Sequence, residues 1–333
     1  MLSQSAFNDL CDALEADDPG HLKELCEKPT LSPEDAQSYL KSLVTNDIDV
    51  DVIRALLNNG ASAKGLSPSY LRNCRSLELL ELLAENGLNF KDEGHKILEN
   101  AVPDREIIDF LLDQGADINR TDTWYDTNGE RLPPMARTAM GRGALFDKTL
   151  TVLNNAAALG DVDLFDYLVS RGAEPGKSIA LHTASHCLDP AKVKAMIAHL
   201  IEKYDFDPNA DDNPTGMRLL GMMSDDTGVP LDFAVRFKNI AAVEALLQHG
   251  ADPNVRDHLP LREAVALGWA ATKPFLEAGA DANVALSKAV ETGELQIAKL
   301  CIEHKADPRV ALNEIATDKL EVNQEMLELL GNE

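Results

Sequence analysis

Aromatic residues make up only 5% of this 333-residue chain, and its five cysteines stand singly at Cys11, Cys26, Cys74, Cys187 and Cys301. An odd number with no Cys-x-x-Cys spacing argues against a disulfide frame or a zinc ribbon. It fits free thiols in a reducing compartment, so an intracellular setting, cytoplasmic or nuclear, is expected. Basic residues are short as well: 31 Lys and Arg stand against 56 Asp and Glu, a net charge of −25. Such a surface repels phosphate backbones and anionic lipid, so neither nucleic acid nor membrane is an expected partner, whereas a basic protein segment is. No stretch reaches 18 apolar residues, and the opening MLSQSAFNDLCDALEADD lacks the basic and apolar runs of a signal peptide. With 44% hydrophobic residues and a mean hydropathy of −0.20, the chain is nonetheless a folded one. Apolar content without aromatics suits small side chains packed at close spacing.

What is present is repetition. Leu-Leu-x-x-Gly-Ala occurs at Leu56–Ala61, Leu111–Ala116 and Leu246–Ala251, and as near copies at Leu168–Ala173 and Phe275–Ala280. Weaker copies sit at Leu82-Leu83 with Gly87, at Leu200-Ile201 with Tyr204, at Cys301-Ile302 with Lys305-Ala306, and at Leu329-Leu330-Gly331. Three copies run on as Asp-x-Asn, at Asp117–Asn119, Asp252–Asn254 and Asp281–Asn283. A second signature, Pro-Leu-x-x-Ala, precedes two of them at Pro230–Ala234 and Pro260–Ala264, and Leu181-His182-Thr183-Ala184 keeps its Leu-His-x-Ala part.

Two signatures recurring in order resemble the ankyrin repeat. The resemblance implies an all-α solenoid of stacked helix-turn-helix units with hairpin-like loops, and for His182 a hydrogen bond between neighbouring loops. The residues agree with it. Pro230 suits a first helical turn, Val243, Leu246 and Leu247 share one helical face, and Gly250 suits a left-handed cap. One unit cannot bury its apolar face alone and must stack. Ten units are read in a single solenoid over 1–333, at about 5–28, 35–64, 66–91, 94–119, 148–175, 178–208, 228–256, 258–284, 285–308 and 309–331. The first, third and last match poorly, as capping units do at the termini.

The period breaks twice, at insertions 120–147 and 209–227. Long loops in compact domains are functional or disordered. The first holds Trp124, Tyr125 and Phe146, with Arg131, Arg137 and Arg142 among its four arginines, and is electrically neutral between two acidic flanks. That composition matches an interface hot spot; the plainer reading is a loop whose Trp124 plugs a local gap. The second carries Arg218, Met222 and Met223 in an apolar run between aspartate pairs, suited to adaptable binding or to an extra half-turn on the sixth repeat. Both leave the stack on one side, roughly 20 Å apart at two layers of helix packing. They could cover a groove lined by Asn155, Thr183, His186, Phe233, Arg236 and Phe237.

Chemistry-bearing motifs are scarce. His182, His186 and Cys187 have a spacing that could hold a metal from one helical face, but the repeat's own histidine accounts better for His182. No metal or other cofactor is expected. Gly141-Arg142-Gly143 is too short for a phosphate loop, and neither Gly-x-Ser-x-Gly nor His-Glu-x-x-His occurs. The sequence therefore reads as a scaffold or escort that holds a basic protein partner on its concave face and insertion loops, more readily than as an enzyme. The alternative is a small-molecule ligand, or catalysis without a motif, in the groove beneath the two insertions.

Overall fold

The computed structural model describes residues 19–27, 31–44, 49–120, 151–211, 228–318 and 322–331. The chain divides into two compact units, Met1–Asp122 and Thr123–Glu333. Among the described residues both consist of helices joined by turns, with no β-strand. No helix there is long and apolar enough to cross a membrane.

The first unit contains α1 (Pro19–Glu27), α2 (Pro33–Leu43), α3 (Val50–Asn58), α4 (Leu77–Glu85), α5 (His95–Ala101) and α6 (Arg105–Asp113). Helices α1, α3, α4 and α6 pack each on the next, with α2 against α3 and α5 against α6. The poorly matching third repeat has only a 3₁₀ turn, Pro68–Leu71, as its first element. Ser67 caps that turn by accepting the Ser69 N–H, and Pro68 opens it.

In the second unit the elements run α7 (Thr151–Leu159), α8 (Val162–Ser170), α9 (Ala180–Thr183), α10 (Pro190–Tyr204), α11 (Pro230–Arg236) and α12 (Ile240–Gln248). They continue as α13 (Val255–Leu267), α14 (Trp269–Glu277), α15 (Ala282–Thr292), α16 (Leu295–Glu303), α17 (Pro308–Asp318) and α18 (Gln324–Gly331). Odd-numbered helices α7 to α17 pack in one row and even-numbered α8 to α18 in another. The odd helices are the first member of each pair, the inner one in the register of the repeat.

The recurring glycine explains how each outer helix stops. Gly60, Gly87, Gly115, Gly172, Gly250 and Gly279 all have φ between 88° and 100°. Four residues before each stands a fully buried side chain: Leu56, Leu83, Leu111, Leu168, Leu246 or Phe275. Its carbonyl accepts the N–H of the residue after the glycine at 2.9–3.1 Å. One tetrad thus caps the helix and buries a core anchor together. Where glycine is missing, Lys305 takes the left-handed conformation at φ 70°. In the Leu200 copy the cap falls on Asp205 (φ 55°) rather than on Tyr204, the residue in the glycine register. Aspartate tolerates that conformation where a bulky side chain does not.

Keeping Tyr204 helical has a consequence for the outer row. The Asp166 carboxylate on α8 accepts hydrogen bonds from His199 Nε2 (2.7 Å), Lys203 Nζ (2.7 Å) and Tyr204 OH (2.6 Å), all on α10. Desolvation pushes this carboxyl up, but the bonds from Lys203, Tyr204 and His199 together outweigh it and hold the pKa down at about 2. A carboxylate depressed on folding stabilises above its unfolded value near 4, and that stability is lost as pH falls through about 2. Asp166→Asn is expected to cost about 1–2 kcal/mol at pH 7, discounting for a side chain one-third exposed. Urea midpoints of the two proteins should converge between pH 4 and pH 2; a gap that stays constant would refute the linkage.

Candidate functional site

The inner row of the second unit is most distinctive where α9 meets α11. Helix α9 is a single turn, continued by the 3₁₀ turn Ala184–His186. His182 and His186 therefore follow one another at four-residue spacing toward α11. On α11, Phe233 and Phe237 have the same spacing. The two ladders interlock: His182 meets Phe233 edge-on with centroids 5.3 Å apart, and His186 meets Phe237 edge-on at 4.1 Å. Edge-to-face geometry sets the positive rim of one ring on the negative face of the other. The Arg236 guanidinium lies 5.2 Å from the Phe233 centroid, within cation–π reach.

Burial differs along the ladder. Phe233 and His182 are buried and form its floor, while His186 and Phe237 are exposed and Arg236 is half-buried. Desolvation lowers the His186 pKa below the ordinary imidazole value, so the ring is neutral at pH 7. His182 Nε2 donates to the Ala210 carbonyl at 3.0 Å, tying the loop after α10 to the inner row. The resemblance implies a bond between neighbouring loops; here the histidine stands on a helix and bonds one loop.

Asn155 lies on α7 in the adjoining layer, and Thr183 on α9 faces it. The Thr183 hydroxyl donates to the carbonyls of Asn154 and Ala180, both at 3.1 Å. Asn154, one residue before the candidate Asn155, is the side chain that joins the layers: its Oδ1 accepts the Ile179 N–H at 3.0 Å. Helical patterning did not separate these two neighbours, because only the contact with α9 shows which one turns inward. Asn155 is half-buried. Of the six inner-helix candidates, the structure thus joins His186, Phe233, Arg236 and Phe237, and gives Thr183 a packing role. Trp124, Tyr125, Arg131, Arg137, Arg142, Phe146, Arg218, Met222 and Met223 lie outside the described residues.

Beside the ladder is a cavity of about 250 Å³ lined by Ser178, Ile179, His182, Tyr204, Asp207 and Asp211, among others. It falls below the roughly 300–1,000 Å³ of pockets that enclose small organic ligands. The exposed chemistry lies on the ladder's open side.

A family model described as ankyrin repeats, in three copies, matches residues 153–257, the segment that contains the ladder. No curated protein matches the sequence. With its paired helices, recurring left-handed caps and this match, the segment 153–257 is built of ankyrin repeats.

Proposed function

We propose that the inner-helix face of the second unit holds a protein partner, with His186, Arg236 and Phe237 as its contact residues. The observation that carries this reading is an exposed aromatic pair beside an arginine, seated on a buried aromatic floor. Aromatics and arginine dominate interface hot spots because they bring large contact area with little loss of conformational freedom. Ankyrin repeats generally mediate protein–protein interaction, which supports the same class of function. The net charge of −25 favours a partner with a basic body, an attraction that salt weakens. At the ladder itself the nearest charge is Arg236, so the segment touching it need not be basic.

Affinity capture from cells that express the protein tests this. Wild type and His186→Ala/Arg236→Ala are compared as quantified captures, with helical circular dichroism confirming that both fold. Proteins bound through this face should fall by at least about tenfold on the variant, the effect of losing one hot spot. An unchanged set of captured proteins would remove the inner face as the binding surface.

A further inference from the structure

The turns joining inner to outer helices carry a second pattern, which shares only Phe237 with the inner face. Four consecutive turns in the second unit each expose a large apolar side chain. These are Leu159 (45%), Leu188 (89%), Phe237 (44%), and Leu267 with Trp269 (39% and 48%). The next turn, Thr292-Gly293-Glu294, has none, so the row ends there. The turns touch. A Cβ on Gly160 would lie 2.7 Å from Cys187 Sγ and 2.8 Å from Lys192 Cβ. The Asn239 amide donates to the carbonyls of Ser185 (3.0 Å) and Cys187 (2.7 Å). Onward, α11 packs on α13 and α12 on α14. At about 8–10 Å per layer the row is some 30 Å long. A single exposed leucine is ordinary; a contiguous apolar row is not.

Charge is organised along the same edge. Lys192 in the first turn of α10, Lys238 in the turn before α12 and Lys273 one turn into α14 stand one per repeat beside the three later turns. Lys192 and Lys238 are exposed and make no ion pair among the described residues. Lys273 lies 5.1 Å from the Trp269 ring centroid and 3.5 Å from Glu277. The carboxylates of the first two turns are engaged in capping: Asp161 accepts the Leu164 N–H, and Asp189 accepts those of Ala191 and Lys192. Asp163 remains exposed at the Leu159 end. Capping leaves Asp161 and Asp189 charged, so with Asp163 the Leu159 end is acidic, and a small surplus of base lies in the last three turns, where Lys192, Lys238 and Lys273 stand against Asp189 and Glu277. At physiological salt, screening over about 8 Å leaves these local lysines in control of contact.

We propose that this row docks an amphipathic helix of a partner protein, with acidic residues flanking its apolar stripe. The inference rests on the protein-binding reading above and assigns a second surface to it. Spacing selects a helix. Seven residues return a helix to the same face after about 10.5 Å, close to the layer spacing of about 8–10 Å. An extended strand returns to one face at about 6.6 and 13.2 Å, matching neither. Four turns thus call for about 22 residues with an apolar side chain at every seventh position.

The test is a selection of displayed 25-residue helical peptides against the full-length chain, followed by affinity measurement of the enriched sequences on variants. The expected peptides carry apolar residues seven apart and acidic flanks. Their affinity should fall at least about thirtyfold on Leu188→Ser/Trp269→Ser, at hot-spot scale. On Lys192→Glu/Lys238→Glu it should fall at least about tenfold. Arg236→Ala, which keeps the His186–Phe237 contact, should leave it unchanged. No enrichment, enrichment of basic-flanked peptides, or affinity indifferent to Leu188→Ser/Trp269→Ser each overturns the proposal. Affinity lost only on Arg236→Ala overturns the docking edge while leaving the inner-face reading standing.

Discussion

Replacing Asp232 by alanine is expected to destabilise the second unit by about 3 kcal/mol, the lower end of the cost of breaking a buried ion pair. Asp232 is only 1% exposed, yet it is charged. Its Oδ2 accepts the Val229 N–H at 2.9 Å at the start of α11 and also pairs with the Arg256 guanidinium. Oδ1 is buried with no hydrogen-bond partner among the described residues. Arg256 stands at the head of an unusual segment. It, Asp257 and His258 have φ of 55°, 53° and 61°, three successive left-handed residues before the regular part of α13. Each such residue costs roughly 1–2 kcal/mol relative to a right-handed one. The Asp232 carboxylate, reaching from the preceding repeat, helps to hold that turn in place.

The two partners should not respond alike. Asp232→Ala takes the carboxylate from a guanidinium that is one-fifth exposed and can turn toward water. Arg256→Ala instead strands a carboxylate with almost no exposure, and should cost about 4–5 kcal/mol. The double variant should cost clearly less than the two singles combined, since each single already abolishes the pair. Urea midpoints followed by circular dichroism give all three values. Strict additivity would show that Asp232 and Arg256 are not coupled. Asp232→Asn should fall between wild type and alanine, because it keeps an acceptor for the Val229 N–H.

How far the sequence foretells this architecture depends on whether a feature is local. The cap at Gly250 follows from Leu246-Leu247-Gln248-His249-Gly250-Ala251 alone, because anchor, helix end and left-handed residue lie within six positions. The same logic fails by one residue at Tyr204, where Tyr204 bonding to Asp166 and an Asp205 that tolerates φ 55° extend the helix. The third repeat's first helix shrinks to a 3₁₀ turn between Ser67 and Arg72, too short a span for the pattern to declare itself. The ladder was half legible. His186, Phe233, Arg236 and Phe237 could be placed on inner helices by register. Their interlocking crosses the 209–227 insertion, and no local pattern fixes how the layers on either side align. The Asp232–Arg256 pair was not legible at all, because Asp232 looks like an ordinary first-turn acid and Arg256 like a solvated loop residue. The same holds for the exposed row, whose members each read as the unremarkable end of an amphipathic helix.

In the first unit, Gly94→Ala sets two effects of opposite sign against each other. Backbone entropy favours the change by about 0.4–1 kcal/mol, since Gly94, the N-cap of α5, has a φ of −60° and ψ of −25° that alanine adopts without strain. Space opposes it. A Cβ there would lie 2.4 Å from the Phe90 carbonyl oxygen, 2.8 Å from Ala116 Cβ and 3.1 Å from Phe90 Cβ. The first obstacle is backbone, held by the Gly94 N–H donating to that same carbonyl at 2.7 Å. Phe90 is fully buried and packs edge-on against Phe110 at 5.7 Å, so it has nowhere to retreat. Overpacking should therefore prevail, with a net loss of about 2–3 kcal/mol. Gly115→Ala separates crowding from backbone strain. Its φ is 88° and its nearest neighbour is Lys91 Cγ at 3.9 Å, so only the left-handed penalty of about 1–2 kcal/mol applies. Urea unfolding should therefore rank Gly94→Ala below Gly115→Ala, although backbone entropy and φ alone predict the reverse. If Gly94→Ala unfolds at the wild-type midpoint or above it, the close approach of the 90–94 turn to Ala116 does not constrain the fold.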